Sequence, residues 1–194
     1  MYHTLPPSAT FWPFLVTIDQ DLAEITKKQG CPCGGRLHRA DYPRQLRPDS
    51  AALPDTYKTR FSFCCDRDGC RKRATPPSVR FLGRKMYVGA LVVLISAMRH
   101  GPSPRRVREL SALFGVDRRT IARWQEFWRE YFPQTHFWKA AGVRLALFID
   151  LATLPLSLLT AFVSGDLDHD GWGRLLRFLS PITTGRGPPR SLSR

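Results

Sequence analysis

The 194-residue chain carries 30 lysines and arginines against 16 acidic residues, a formal net charge of +14. This excess favours a polyanionic partner, most simply nucleic acid, although an arginine-rich genome would raise the charge without one. A membrane span needs ~20 apolar residues, and the stretch 143–163 contains Arg144, Asp150 and Pro155. We therefore expect a cytoplasmic protein without a membrane segment or secretory leader, large enough for one or two small domains.

Residues 1–29 are predicted to form an N-terminal segment with one short helix. Residues 1–15 look irregular, and Thr17 to Lys28 has apolar residues at helical spacing. Thr17 and Gln20 match a capping box at its start. Gly30 suits the end of the helix, because glycine adopts positive φ without strain.

All five cysteines lie in two short groups, which predicts a zinc ribbon over residues 30–83. The groups are GCPCGG at residues 30–35 and FCCDRDGCRKR at residues 63–73. Zinc binds four thiolates or imidazoles in a tetrahedron, and two turns that each supply two ligands satisfy it. Phe61 and Phe63 alternate before the second group, which predicts a strand, and Val79 to Leu82 would close the sheet.

We predict that zinc is the cofactor and that its ligands are Cys31, Cys33, Cys65 and Cys70. Cys65 is preferred over Cys64 because Phe63 then precedes the ligand by two residues, as in the ribbons that this segment resembles. The spacing departs from the common two residues between paired cysteines, so His38 or Cys64 remains an alternative ligand. Disulfides are disfavoured in the cytoplasm, and four sulfur ligands would leave no open position for catalysis. Three basic residues follow the second cysteine group, namely Arg71, Lys72 and Arg73. They either contact phosphates or are merely solvated.

Residues 84–132 predict a three-helix bundle of the homeodomain-like helix-turn-helix type. A helix from Lys85 to His100 precedes the stretch SPRRVRELSALFGVDRRTIARWQEFWREYF at residues 103–132. Ser103 can cap its first helix, and Asp117 can cap the second. Ile121, Trp124, Trp128 and Phe132 line one side of that second helix, and its arginines lie on the other. An ordinary helical hairpin with solvated arginines is the alternative.

Arginines at the start of a recognition helix point to base edges in the major groove, where arginine pairs with guanine. Hydroxyl side chains at helix N-termini are expected to contact phosphates. The predicted DNA-binding residues of this unit are Arg118, Arg119, Thr120, Ala122, Arg123 and Ser103.

The remaining residues, 133–184, predict a helical C-terminal region, followed by a disordered basic tail at residues 185–194. The expected helices are Ala141 to Leu151, Pro155 to Ser164 and Trp172 to Leu179. Asp166, Asp168 and Asp170 open like an EF-hand loop, but the twelfth position is Arg177 where calcium requires a glutamate. We therefore interpret these aspartates as an exposed loop.

The fold class is mainly α with a small β zinc ribbon, and the order of the motifs resembles the zinc-ribbon plus helix-turn-helix proteins of bacterial insertion elements, often labelled transposases. The resemblance covers roughly residues 16–132 and rests on GCPCGG, FCCDRDGCRKR, PPSVRFLGRK and FGVDRRTIARW. It implies double-stranded DNA as the partner in the context of mobile elements. A DNA-cutting core needs carboxylates that hold two metal ions, and the C-terminal region is too short for one, so we expect a non-enzymatic accessory protein or transposase remnant.

Three alternatives to that function stay open. The first is a transcriptional regulator, and the second is a metal-dependent recombination enzyme that uses the Asp166–Asp170 loop. The third is a protein-interaction module, which apolar surface left exposed within residues 143–163 would support. The protein partner would be a second copy of the chain or a transposition protein.

Overall fold

The computed structural model describes residues 11–44, 55–81, 103–105, 108, 117–141, 145, 148–164 and 169–183. Within these ranges the protein is mainly helical with two small antiparallel sheets, so the coarse fold class is confirmed. The predicted helix Lys85 to His100, the turn at Gly115 and the tail 185–194 lie outside the described residues. None of the described helices combines the length and apolar character that crossing a membrane requires.

The N-terminal helix, α1, spans Phe11–Gln29 and begins earlier than predicted. Pro13 fits in its first turn, where a backbone donor is not needed. The capping box at Thr17 is wrong, because Thr17 lies inside the helix and its hydroxyl donates to the carbonyl of Pro13 at 3.1 Å. Gly30 ends the helix as expected, with φ +69°.

The ribbon consists of short strands that bring the two cysteine groups together. Its three-stranded sheet has the order β1–β4–β5, and its two-stranded sheet pairs β2 with β3. β1 and β4 are antiparallel, with Leu37 opposite Cys65. The elements are β1 (Leu37–Arg39), β2 (Tyr42–Pro43), α2 (Asp55–Lys58), β3 (Thr59–Arg60), β4 (Phe63–Cys65) and β5 (Arg73–Ala74).

The expectation that Val79 to Leu82 closes the ribbon sheet is wrong. β5 pairs with β4 and occupies that edge, with Ala74 opposite Phe63. Residues 78–81 instead lie against α1, where the backbone amide of Val79 donates to the carboxylate of Asp19 at 2.7 Å. The buried Asp19 carboxylate therefore holds this segment against α1, away from the ribbon sheet.

In the structure the C-terminal helices pack as one region that already includes α3 (Arg118–Glu126), the predicted second helix of the helix-turn-helix, and not only residues 133–184. α3 continues as a π-helix (Phe127–Tyr131). The elements that follow are a 3₁₀ turn (Phe132–Gln134), α4 (His136–Ala141), a 3₁₀ turn (Leu151–Thr153), α5 (Leu156–Phe162), α6 (His169–Leu179) and a last 3₁₀ turn (Ser180–Thr183).

Two details of this region differ from the sequence prediction. The predicted helix Ala141 to Leu151 is wrong at the residues that the structure describes: residues 145 and 148–150 are turn or irregular, and Asp150 caps the following 3₁₀ turn by accepting the amide of Ala152 at 2.9 Å. Residues 142–144 and 146–147 lie outside the described part of the chain. α6 begins at His169, so Asp170 lies in its first turn rather than in a calcium-type loop. Asp166 and Asp168 lie outside the described residues.

Two hydrophobic cores share α1. The larger core packs α1 against the C-terminal helices and contains Leu15, Ile18, Val79, Trp128, Phe132, Trp138, Ile149, Leu154, Leu158, Leu159, Val163, Trp172, Leu175, Leu176 and Leu179. The smaller core lies in the ribbon and contains Ala23, Cys31, Leu37, Phe61, Phe63 and Cys65. Because α1 supplies side chains to both, it joins the ribbon to the C-terminal helices.

Candidate functional site: a four-thiol centre and an arginine-faced helix

Four cysteine thiols converge at one end of the ribbon. The sulfurs of Cys31, Cys33, Cys65 and Cys70 all lie within 4.8 Å of one another. Cys31 Sγ is 3.7 Å from Cys70 Sγ, and Cys33 Sγ is 3.5 Å from Cys65 Sγ. Zinc–sulfur bonds of ~2.3 Å in a tetrahedron separate the sulfurs by about 3.8 Å. The four thiols are free, and the two Sγ–Sγ separations are close to that value, so the group could hold a tetrahedral metal ion.

Tight turns present the two pairs of thiols. In the first, the amide of Gly34 donates to the carbonyl of Cys31 at 2.8 Å, and Gly34 has φ +83°. In the second, the amide of Cys70 donates to the carbonyl of Arg67 at 3.1 Å, after Gly69 at φ +81°. Glycine tolerates these left-handed conformations without strain, so the local sequence fixes both turns.

Backbone amides stabilise a thiolate at one position of this centre. The amide of Gly35 donates to Cys33, and the other three thiols add hydrogen bonds, so the pKa of Cys33 is lowered to about 6. For Cys65, the amide of Arg67 lowers the pKa, but burial and the neighbouring thiols outweigh it and raise the pKa to about 12. Four thiolates in this space therefore need a cation to hold them.

Gly35 is required at the centre for a steric reason. A Cβ atom built on Gly35 would lie 2.5 Å from Cys65 Sγ and 3.1 Å from an oxygen of Asp66. The Gly35 backbone therefore lies so close to the Cys65 sulfur that a larger residue would force the sulfur or the backbone to move.

The two alternative ligands lie outside the cluster. Cys64 Sγ donates to the carbonyl of Arg71 at 3.4 Å, and His38 Nε2 is 3.3 Å from Asp66 Oδ2. Successive side chains of a strand point to opposite faces, and β4 buries Cys65 while it leaves Cys64 half-exposed. Strand alternation therefore explains why Cys65 joins the cluster and Cys64 does not.

The basic cluster after Cys70 divides into different environments. The guanidinium of Arg73 donates to the carbonyl of Ala40 and to Ser62 Oγ and lies over the Tyr42 ring, so it stabilises the ribbon. Arg71 pairs with Asp68 at 2.9 Å on the surface. Lys72 is exposed and forms no ion pair with any residue that the structure describes. Of the three side chains, that of Lys72 therefore contributes least to the stability of the ribbon.

α3 has one buried side and one arginine side. Asp117 caps it by accepting the amide of Thr120 at 2.6 Å, and this hydrogen bond lowers the pKa of the Asp117 carboxyl. Ile121 and, beyond α3, Trp128 and Phe132 are buried, and Trp124 is half-buried. The residues opposite are all exposed, namely Arg118, Arg119, Ala122, Arg123 and Glu126.

The expected phosphate contact of Thr120 does not fit this geometry. Thr120 is only 6 % exposed, and its hydroxyl accepts a hydrogen bond from the guanidinium of Arg123 at 3.0 Å. Since its amide is also taken by Asp117, Thr120 orients Arg123 instead. Ser103 is exposed and directly precedes helical residues 104 and 105, as the prediction of a capping residue requires.

Sequence reasoning missed a buried hydrogen-bond network between α1 and the segment after the ribbon. Asp19 accepts from Arg80 Nε at 2.7 Å and from Ser78 Oγ at 2.5 Å. Arg80 also donates to the carbonyls of three ribbon residues, Thr56, Tyr57 and Thr59. The signal was an acidic residue beside Leu15, Ile18 and Leu22 on the apolar face of α1, because a buried carboxylate needs a partner.

Comparison with known proteins gives no relative from which a function could be transferred. No protein-family model, no curated protein and no solved structure matches this chain.

Proposed function

We propose that this chain is a non-enzymatic protein that binds double-stranded DNA through a helix-turn-helix supported by a zinc ribbon. The observation that carries the proposal is the two-sided character of α3. Its start presents Arg118, Arg119 and Arg123 to solvent, while Ile121 faces the core. A helix held in this way offers guanidinium groups to a major groove without disturbing its own packing.

The electrostatics of the whole chain support the same partner. A net charge of +14 raises the local concentration of a polyanion and speeds its association. Lys72 on the ribbon and the arginines of α3 are all exposed. Phosphate contacts from such residues supply affinity and orientation, whereas base contacts supply sequence preference.

Zinc is the metal that the four-thiol centre fits best. An all-sulfur donor set with tetrahedral spacing is typical of structural zinc, and Cys31, Cys33, Cys65 and Cys70 provide it. Bound zinc would cross-link the two turns and leave no position for a substrate. In a reducing cytoplasm these thiols would persist as metal ligands rather than disulfides.

The chain's resemblance to insertion-element proteins favours an accessory role in transposition or a transposase remnant. A transcriptional regulator would use the same DNA-binding surface, and the two roles differ in the site that is bound rather than in the geometry. A recombination enzyme has less support, because the carboxylate of Asp150 is committed to capping its 3₁₀ turn and Asp170 lies in α6.

The test is a DNA titration of zinc-loaded protein at two salt concentrations, with random duplex as competitor, after selection of a preferred site. Arg119→Ala should weaken specific binding by ~1–3 kcal/mol, because it removes a candidate base contact. Lys28→Ala on α1 is the matched control, since it removes the same charge from an exposed position that we do not assign to DNA.

Three results would contradict the proposal. The first is equal loss in the two variants, which would indicate generic charge attraction. The second is binding that disappears at moderate salt for every sequence, which has the same meaning. The third is magnesium-dependent nicking by the purified chain, which would favour the recombination enzyme.

A further inference from the structure

The hydroxyl of Thr120 links the cap of α3 to one of its arginines. Arg123 Nη2 donates to Thr120 Oγ1 at 3.0 Å. A guanidinium has no acceptor atom, so the hydroxyl accepts this hydrogen bond and keeps its own proton for a second partner. That partner is the Asp117 carboxylate, whose pKa is lowered first by the Thr120 amide and then by the Thr120 hydroxyl. Hydrogen bonds therefore run from Asp117 through Thr120 to Arg123.

Burial fixes the middle of this series of hydrogen bonds. Thr120 is 6 % exposed, and its neighbour Ile121 is 2 % exposed. The Thr120 amide donates to Asp117 Oδ1 at 2.6 Å, so the backbone of this residue is held as well. Little water reaches a buried hydroxyl, which favours its hydrogen bonds with protein groups over those with solvent. The Thr120 hydroxyl is thus a fixed point that orients the guanidinium of the exposed Arg123.

The contact with Thr120 also shows the direction in which the Arg123 side chain runs. Side chains of a helix tilt towards its N-terminus, and residues three apart are neighbours on its surface. Arg123 reaches back by one turn in this way, so its guanidinium lies beside the first turn of α3. Recognition helices contact base edges with their N-terminal residues. The contact therefore brings an arginine of the second turn to the end of the helix that reads bases.

Arg123 differs in this respect from the other two arginines of α3. Arg118 and Arg119 are exposed, and their side chains form no hydrogen bond or ion pair within the part of the chain that the structure describes. A long side chain that becomes ordered only on binding loses conformational entropy, whereas a side chain that is already held loses less. The single contact with Thr120 leaves Arg123 enough N–H donors for a paired contact with O6 and N7 of guanine.

We infer that Arg123 is the specificity-determining residue of α3 and that Thr120 is its positioning residue, with Asp117 holding the Thr120 hydroxyl. The inference rests on the proposed function, because it names the contact by which α3 distinguishes one base pair. The base that Arg123 selects is guanine, which presents two acceptors to a guanidinium in the major groove.

The first measurement uses the full zinc-loaded chain without DNA. Relaxation of the ¹⁵N nuclei in arginine Nε–H groups reports the motion of each guanidinium on the ps–ns timescale. Arg123 should be ordered in the wild type and in Thr120→Ser, which keeps the hydroxyl. In Thr120→Val it should become as mobile as Arg119. An Arg123 that is as mobile as Arg119 in the wild type would overturn the inference.

The second measurement is selection of bound sequences from a random duplex library, followed by titration on the preferred site. Arg123→Ala should abolish the preference for guanine at one base pair. Thr120→Val should weaken the preference at that same base pair and lower specific affinity about 2–10-fold, as expected when one long side chain is no longer held before binding. In the Arg123→Ala background, Thr120→Val should change the affinity less than about 2-fold, because its effect acts through Arg123.

Thr160→Val is the matched control for the loss of a threonine hydroxyl. Thr160 Oγ1 donates to the Leu156 carbonyl at 2.8 Å within α5, a helix that we do not assign to DNA. This variant makes the same chemical change and should select the same site as the wild type with the same affinity.

The outcomes separate this inference from the proposed function. A wild type that binds DNA without any sequence preference would reject both. A wild type that selects a site, together with Thr120→Val that selects it with equal preference, would reject the inference alone. An affinity loss in Thr120→Val that is equal for every sequence and persists in the Arg123→Ala background would show that Thr120 only stabilises α3, and would also reject the inference.

Discussion

The ribbon and the C-terminal helices differ in the interactions that stabilise them. The ribbon has strands of two or three residues and a core that is largely aromatic side chains and ligand thiols. The C-terminal core is built from leucines and aromatic rings, with the tilted rings of Trp128 and Phe132 packed at 4.7 Å between centroids. Burial of apolar surface therefore stabilises the helices, whereas we expect the ribbon to need a metal cross-link in addition.

α1 contacts both regions, but it contributes different side chains to each of the two cores. Leu15 and Ile18 pack into the C-terminal core, whereas Ala23 packs into the ribbon core. Between them, Asp19 holds the segment 78–81. One helix thus joins the ribbon, whose stability we expect to depend on a metal, to C-terminal helices with an apolar core.

Metal removal should have the largest effect and should be confined mainly to the ribbon. Structural zinc contributes apparent binding free energies of about 10–16 kcal/mol in small zinc peptides, and Cys65→Ser removes one of four ligands. In hydrogen exchange, amides of Leu37–Arg39 and Phe63–Cys65 should lose protection, while those of Leu156–Phe162 keep it.

The control for that experiment is Cys64→Ser. Cys64 Sγ bonds the Arg71 carbonyl and not the cluster, so this variant should retain about one zinc per chain in native mass spectrometry. Loss of zinc from Cys64→Ser together with its retention in Cys65→Ser would show that the ligand assignment is wrong.

The junction between the two regions should respond next in size, through a pair of aspartates on α1. Asp19 and Asp21 each lie 2.7 Å from an arginine, but the Asp19–Arg80 pair is buried and the Asp21–Arg177 pair is about half exposed. Asp19→Ala should cost ~3–5 kcal/mol because it leaves Arg80 buried without a counter-charge. Asp21→Ala should cost ~0–1 kcal/mol.

Denaturant unfolding measures both values. The fluorescence signal comes from tryptophans that lie outside residues 30–83, so it follows the C-terminal core and α1. Equal losses for Asp19→Ala and Asp21→Ala would contradict the assigned importance of the buried network.

Local contacts could be predicted from the sequence, whereas a long-range contact could not. The cysteine groups predicted a cluster because thiol ligands are rare and their turns are local, and Asp117 predicted a cap because its partner Thr120 is three residues away. The Asp19–Arg80 contact joins residues 61 positions apart. Spacing and periodicity carry no information on such a pair, so the role of segment 78–81 could not be predicted.

Helix ends show a similar limit. The sequence after Pro133 predicted a helix that ends at Leu151, but Asp150 accepts the amide of Ala152 and Ser157 donates to the Asp150 carbonyl, so Leu151 begins a capped 3₁₀ turn instead. Side-chain to backbone hydrogen bonds of this kind override periodicity.

A smaller effect is expected from Gly35→Ala, which tests how closely the backbone must approach the metal centre. The added Cβ would lie 2.5 Å from Cys65 Sγ, so the ligand must move and zinc affinity should fall ~10–100-fold, as for other changes that misorient ligands. Arg36→Ala is the neighbouring control, since Arg36 supplies its backbone amide to Asp66 and its side chain is exposed. Competition with a chromophoric chelator measures both affinities, and equal affinities would refute the steric argument.

The smallest effect is expected at the start of α3, where stability should depend on pH. The Thr120 amide lowers the pKa of Asp117 in the folded protein. The stabilisation is thus complete above the unfolded pKa of ~3.9 and is lost as pH falls through the lower folded pKa. Asp117→Asn keeps a capping oxygen but cannot ionise. The difference in unfolding midpoint between wild type and Asp117→Asn should therefore be constant above pH ~5 and shrink towards pH ~3. A difference that does not change with pH would show that the charge of Asp117 does not stabilise α3.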